Sequence, residues 1–332
     1  MRHFVVVGIL VVVMTILTYL GLSSAGLMPI QASLQAVSID QLWDLEVIVI
    51  CFLFSLIVVP MAYSLIVFRR KKGDTTDAEH MEGNTTLEIT WTVIPLITVL
   101  VFAYLGSYSL AETQRISPDA MVVKVTGRQW SWNFQYPDFG VTTTELYLPV
   151  NKAVVLRMES SDVLHSFWVP EFRIKQDVVP GRITEYRVTP TLEGDFKVRC
   201  AEICGTSHSY MESPVVVVQE VAFENWITAR QAEAAAAQTP EDRGQLLVAA
   251  NGCAACHTTD GSVLIGPTWR GVFGKTEELT DGSTVTVDEA YITESIKDPQ
   301  AKLVKGFPPT MPAFPFTDEE IANIIAYIKT LR

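Results

Sequence analysis

Two long apolar runs, residues 42–68 and 91–110, restrict this chain more than any other feature. Runs of that length are long enough to cross the hydrocarbon core of a bilayer. In lipid every backbone N–H and C=O must be paired internally, so an isolated span has to be a helix. The first run carries only Asp44 and Glu46, near its start, and Arg69, Arg70, Lys71 and Lys72 follow it at once. Trp91 and Tyr108 suit the two interfaces. A buried helix of a water-soluble protein could be as apolar, but two such runs around a basic loop point to a transmembrane helical hairpin, residues 41–111. Positive residues stay inside, which places the 69–90 loop in the cytoplasm and everything after Leu110 outside. An earlier apolar stretch, residues 4–22, follows Arg2 and ends at Ser23, Ser24 and Ala25. Residues 1–25 therefore read either as a signal peptide or as a first membrane helix, and both put the end outside.

Four of the five cysteines fall into two close pairs. The first pair lies in Cys200-Ala-Glu-Ile-Cys204-Gly-Thr-Ser-His208-Ser-Tyr-Met211, with a lone His165 upstream. Thiolates, imidazoles and a thioether are soft donors that select copper, zinc or iron over magnesium or calcium. Cys200 and Cys204 can bridge two ions, with His165 and His208 each capping one. Met211 would add the long, weak bond that tunes a copper potential. A tetrahedral zinc held by two Cys and two His is an alternative, as is a disulfide in an oxidising compartment. Zinc leaves Met211 without a role.

The second pair, Cys253-Ala-Ala-Cys256-His257, is the haem attachment signature: two thioethers, with the adjacent histidine as an axial ligand. A redox dithiol is the other reading of a bare pair, and the following His weakens it. Gly266-Pro267 comes soon after, where a carbonyl can fix the His257 tautomer. Met311 is the methionine in this stretch past the attachment site, suited to be the second axial ligand. Thr317 with Glu320 forms a capping box. Ile321, Ile324, Ile325 and Ile328 behind it make one apolar helical face, and Tyr327 can cross a first helix near Gly244, where no side chain blocks approach. Cys51 sits in an apolar run and reads as packing.

Between these features the period is two: Trp130, Trp132, Phe134 and Tyr136 alternate with Gln129, Ser131, Asn133 and Gln135. Further strand-like runs cover 142–149, 152–160, 184–188, 196–200 and 214–219, which together read as a β-sandwich or Greek-key barrel. Residues 223–240 contain an alanine-rich stretch, helix-prone but with no face to bury, expected as a semi-rigid connector. A net charge of −12 and no basic stripe outside the membrane argue against nucleic-acid binding. An acidic outer surface could steer a basic electron donor or simply be solvated.

The Cys200–Met211 loop resembles the CuA loop of cytochrome c oxidase subunit II. His165-Ser-Phe-Trp-Val-Pro170 and Lys175-Gln-Asp177-Val-Val-Pro180-Gly-Arg182 resemble that family's run around its first copper histidine. The likeness covers about residues 41–220, and 239–332 resemble a class I cytochrome c. The resemblance implies a multi-domain membrane protein of a caa-type haem–copper oxidase. Its parts are the hairpin, a β-sandwich cupredoxin domain over 112–221, a linker over 222–240 and an all-α cytochrome c domain over 241–332. It implies a multi-pass protein of the bacterial plasma membrane with both outer domains on the periplasmic or extracellular side.

By the same resemblance, His165, Cys200, Cys204, His208, Met211 and the Glu202 carbonyl hold dinuclear copper. Cys253, Cys256, His257 and Met311 hold haem c, and the Glu202 carboxylate reaches a magnesium ion at the contact with subunit I. Trp130 matches the tryptophan through which external cytochrome c delivers electrons, although a fused haem domain could dock there, and packing on a sheet face is the plainer reading. Glu88 matches a glutamate at the cytoplasmic mouth of a proton path, where the helix dipole also favours a carboxylate. The implied partners are membrane lipid, oxidase subunits I and III, and an external donor such as cytochrome c or a copper protein. The implied activity passes electrons from the donor through haem c to CuA and on to subunit I, for oxygen reduction to water with proton pumping. The copper subunit of a nitric oxide reductase and a tethered carrier without an oxidase partner are the alternatives. A quinol oxidase subunit II would lack the copper ligands, all of which are present. No membrane run holds a set of histidines for a haem and a copper, so the oxygen chemistry lies outside this chain.

Overall fold

The apolar runs are helical: α1 (Arg2–Ser24), α2 (Leu34–Val67) and α3 (Thr85–Thr113). All three are long and apolar enough to cross a membrane; at 1.5 Å per residue even α1 reaches about 35 Å. α1 is one continuous helix across the stretch read as a signal peptide or first span, and α2 starts earlier than its apolar run, at Leu34. Asn84 caps α3 by accepting from the Leu87 N–H at 3.0 Å. Glu88 lies exposed in the first turn, its carboxylate accepting from the Asn84 N–H at 3.4 Å. The computed structural model describes residues 1–77, 80–115 and 118–332. It divides into two units, the helices (Met1–Gln31, Gln35–Arg115) and the remainder with Ala32–Leu34.

Two five-stranded sheets begin the second unit. The strands are β1 (Met121–Arg128), β2 (Ser131–Tyr136), β3 (Val141–Thr143), β4 (Leu146–Pro149), β5 (Val154–Ser160), β6 (His165–Val169), β7 (Ile174–Val178), β8 (Thr184–Val188), β9 (Gly194–Cys200) and β10 (Glu212–Val218). Their orders are β3-β2-β1-β5-β8 and β4-β10-β9-β6-β7, and only β1–β5 and β4–β10 pair in parallel. The alternation in β2 sends Trp132, Phe134 and Tyr136 into the core, each fully buried. Burying an aromatic of this kind stabilises by roughly 1.5–3 kcal/mol. The single run expected at 142–149 is two strands in opposite sheets, broken where the Glu145 N–H turns onto the Thr143 hydroxyl. β6 and β7 lie outside the strand-like runs of the sequence: four of the five β6 residues are buried, so that strand shows no alternation.

The connector is helical, α4 (Glu220–Ala236), but it is not without a buried face. Phe223 and Ile227 enter the sandwich core, and Trp226 stacks on Tyr147 with centroids 4.3 Å apart. These three positions are i, i+3 and i+4, one helical stripe. The alanine-rich second half is exposed along its whole length, as expected.

The C-terminal lobe holds α5 (Pro240–Ala250), α6 (Glu289–Lys297) and α7 (Asp318–Thr330), with a small hairpin, β11 (Thr276–Glu278) and β12 (Thr284–Thr286). Thr317 and Glu320 close the capping box of α7, and Thr239 with Asp242 makes another on α5. The isoleucine stripe of α7 is buried. α5 and α7 cross at Gly244, where an added Cβ would sit 1.9 Å from the Asn323 carbonyl oxygen and 2.9 Å from Tyr327 Cβ. Backbone cannot swing aside as a side-chain tip can, so a methyl here forces the helices apart. Gly244→Ala is therefore expected to destabilise this lobe by about 1–3 kcal/mol, the cost of overpacking. Thermal unfolding of the full chain followed at the haem band would show a lowered first transition, and an unchanged curve would refute the close crossing.

Candidate functional site

β6 and β9 are neighbours, with Phe167 opposite Cys200. This pairing delivers His165, at the start of β6, and Cys200, at the end of β9, to the same end of one sheet. The chain then leaves through a loop and returns as β10. The Cys200 N–H donates to the Met211 carbonyl at 3.0 Å, and the Ala201 N–H to the Ser166 carbonyl at 2.9 Å. The loop is thus tied down on both sides.

The donors converge. Cys200 Sγ lies 3.7 Å from Cys204 Sγ. His165 Nδ1 is 3.8 Å from Cys200 Sγ, while His208 Nδ1 is 3.5 Å from Cys204 Sγ. Met211 Sδ is 3.8 Å from Cys204 Sγ, and the Glu202 carbonyl oxygen is 3.2 Å from Cys200 Sγ. His165, Cys200, Cys204 and Met211 are buried. One histidine at each end of a sulfur pair, plus a thioether and a carbonyl, exceeds the four donors of a closed zinc site. The set fits two soft ions sharing both sulfurs.

Asp162 orients the His165 ring. Its carboxylate is 2.8 Å from His165 Nε2; a carboxylate only accepts, so that nitrogen carries a proton and Nδ1 is the ring atom turned toward the sulfurs, where it would hold an ion. The same carboxylate accepts from the Gln129 and Val163 N–H groups. Burial opposes charge on this imidazole, but the Asp162 and Cys200 partners outweigh it and hold its pKa above the ordinary value. The two thiols split. Burial works against the Cys200 thiolate, yet contacts from His165 and backbone at Ser166 and Glu202 pull its pKa down. Burial, then the charge of Cys200, pushes Cys204 up. Both sulfurs can be anionic together only with cations between them.

The second cysteine pair lines a cleft between the two outer lobes. Its walls carry Cys253, Cys256, His257 and Met311 from the C-terminal lobe, and Gln129, Trp130 and Ser131 from the sandwich. His257 Nδ1 donates to the Pro267 carbonyl at 2.8 Å, leaving Nε2 free to ligate. Its ring stacks on Trp269 with centroids 4.9 Å apart. Gly266 packs so closely against this ring that an added Cβ would fall 2.7 Å from it. Burial lowers the His257 pKa despite the Pro267 bond, favouring the neutral imidazole a metal needs. Burial also pushes Cys253 up to about 11 and raises Cys256. A redox dithiol needs a lowered thiol pKa, so these groups suit haem attachment. The residues present fit the macrocycle.

Trp130 is 5% exposed, between the two sites. Its indole N–H donates to the Cys204 carbonyl at 3.2 Å, and the Gln129 side-chain amide donates to the same oxygen at 2.6 Å. Asp162, Gln129 and Arg128 were not singled out from sequence. For Asp162 a signal existed, an acid three residues before the histidine in a serine-rich turn.

The sequence matches three family patterns in order: the transmembrane domain of cytochrome c oxidase subunit II over residues 21–111, its periplasmic domain over 141–221, and cytochrome c over 241–332. Cytochrome c oxidase subunit 2 of Alkalihalophilus pseudofirmus is 33% identical over 296 residues, covering 86% of this chain and 85% of that protein. The chain belongs to the cytochrome c oxidase subunit II family. It carries a fused C-terminal cytochrome c domain, and it is a membrane protein with periplasmic domains and a subunit of an oxidoreductase. Subunit 2 of Thermostichus vulcanus is 33% identical over 70% of this chain and 87% of its own length. Among solved structures, the periplasmic domain of subunit II (CoxB) of Bradyrhizobium japonicum aligns with 35% of this chain and 98% of its own, at 30% identity and a TM-score of 0.34. The periplasmic domain implies CuA copper, and the cytochrome c domain implies haem.

Removing the Asp162 carboxylate frees the His165 ring to rotate. Asp162→Asn in this subunit II is expected to weaken copper retention about 10–100-fold, the usual cost of losing such a partner. Chelator competition on the purified protein reads this directly, and unchanged retention would remove Asp162 from the site.

Proposed function

We propose that this subunit II takes electrons from an external donor through its own haem c, passes them to CuA, and delivers them to subunit I for oxygen reduction coupled to proton pumping. The observation that carries the reading is the shared wall: Trp130 and Gln129 line the haem cleft and both bond the carbonyl of Cys204. Bound copper and haem supply reversible one-electron chemistry; the rest is done by the chain. His165, Cys200, Cys204, His208, Met211 and the Glu202 carbonyl would hold the copper pair, and Asp162 fixes the first imidazole. Cys253, Cys256, His257 and Met311 would hold the haem, with Pro267 fixing the tautomer. The sheet ends keep the copper donors in place, so little has to move when charge arrives. Tethering both sites in one chain replaces a diffusional encounter with an internal one.

The finer assignments follow the same reading. The Glu202 carboxylate would bind magnesium beside subunit I, and subunit III would complete the core. Glu88, exposed at the head of α3, would sit at the mouth of a proton path. The basic stretch Arg69 to Lys72 supports a cytoplasmic loop in a bacterial plasma membrane, with both metal domains outside. Trp130, being nearly buried at the cleft, would receive electrons from the haem of this chain rather than from a soluble partner.

In the intact oxidase, metal analysis is expected to return about two coppers per haem c, and a single zinc in their place would overturn the copper assignment. Cys200→Ser is expected to leave haem c reducible by the donor while oxygen uptake falls to background. Persistent oxygen uptake in that variant would show that the relay does not run through the sulfur pair.

A further inference from the structure

We propose that Arg128 is a positioning residue that clamps the cytochrome lobe onto the copper lobe by laying its guanidinium on the face of Phe314. The inference rests on the relay reading above. The guanidinium carbon is 4.5 Å from the Phe314 ring centroid, and Phe314 follows the methionine of the haem cleft by three residues. Arg128 ends β1, and both residues are half-buried. On the opposite side of the cleft the next strand makes the other grip. The Asn133 amide donates to the Ala250 carbonyl at the end of α5, and Gly252 rests on Ser131 so closely that a Cβ would fall 2.5 Å from Ser131 Cβ. Residues 128–133 therefore hold the haem cleft at both edges, the attachment side and the methionine side.

The arginine is oriented from behind. Its Nε donates to the Ser161 hydroxyl at 3.1 Å, which turns the flat face of the guanidinium toward the ring. Ser161 adjoins Asp162, the carboxylate that fixes His165. The anchor of the clamp and the support of the first copper ligand are thus one turn of chain. A lysine would keep the charge but lack the planar face and the second donor. Electron transfer decays exponentially with separation, so a seam that opens slows the internal step without touching either set of ligands. With haem and copper bound, that step would be a single-electron exchange in which no atom is transferred.

The test uses the full oxidase complex carrying Arg128→Met, Arg128→Lys, Phe314→Leu, Phe314→Tyr or the Arg128→Met/Phe314→Leu pair. The first measurement needs no turnover: hydrogen–deuterium exchange of amides in 131–134 and 250–256. Protection there is expected to fall about tenfold in the first three variants, the size of a partly desolvated cation–π contact, and to persist in Phe314→Tyr. The pair should lose no more than either single change, since both remove one contact. The second measurement is the haem-to-copper transfer rate after flash reduction, expected to fall in the same three variants with haem and copper absorption unchanged. Parental protection and rate in Arg128→Met and Phe314→Leu would overturn the clamp. Loss of copper absorption in Arg128→Met would also overturn it, by assigning the residue to the copper site instead. Failure of the relay itself would appear separately, as oxygen uptake surviving Cys200→Ser while the exchange pattern still reports the seam.

Discussion

Two buried sulfurs held 3.7 Å apart are the constraint on which the outer part of this subunit II depends. Bare, they are an unstable arrangement: burial resists ionisation of both, and the charge of one resists ionisation of the other. The fold nevertheless holds them there, because neighbouring strands fix one sulfur and the loop to β10 returns the other. An imidazole stands at each end of the pair, and the upstream one is locked by a carboxylate. Cations would complete such an arrangement, and donors held this firmly would need little adjustment when the charge changes by one.

The second cysteine pair shows the same element used in the opposite way. Cys253 and Cys256 have their protons held on by burial, and the neighbouring histidine is kept neutral by burial with one nitrogen spoken for by a carbonyl. The chain therefore separates a site where sulfur would ionise to hold ions from one where sulfur would be consumed in a covalent bond. The same two residue types serve both. What differs is the environment: imidazole and backbone contacts around Cys200, desolvation around Cys253.

Most of this was readable from residue order alone, because the informative features are local. Ligand spacing inside a twelve-residue loop, an attachment signature with its histidine, a capping box and a two-residue alternation all survive in one dimension. The crossing at Gly244 was also legible, since a missing side chain opposite an aromatic face has few other uses. What was missed depends on contacts distant in sequence. Residues 142–149 look like one strand because nothing local announces that the chain changes sheets at Glu145. α4 looked like a bare connector because its alanines dominate the pattern, while Phe223, Trp226 and Ile227 take their meaning from Tyr136 and Tyr147 far upstream. Arg128 carries no motif at all; its role depends on a ring nearly two hundred positions away.

The anchoring of α4 bears on where the two outer modules can be cut apart. Because Phe223 and Ile227 complete the sandwich interior, a truncation that trims the chain at residue 222 would strip apolar plugs from the copper lobe and leave a greasy hole. The natural cut lies beyond Ala236, in the few residues before the Thr239 cap. A cut there would keep both apolar plugs seated in the copper lobe.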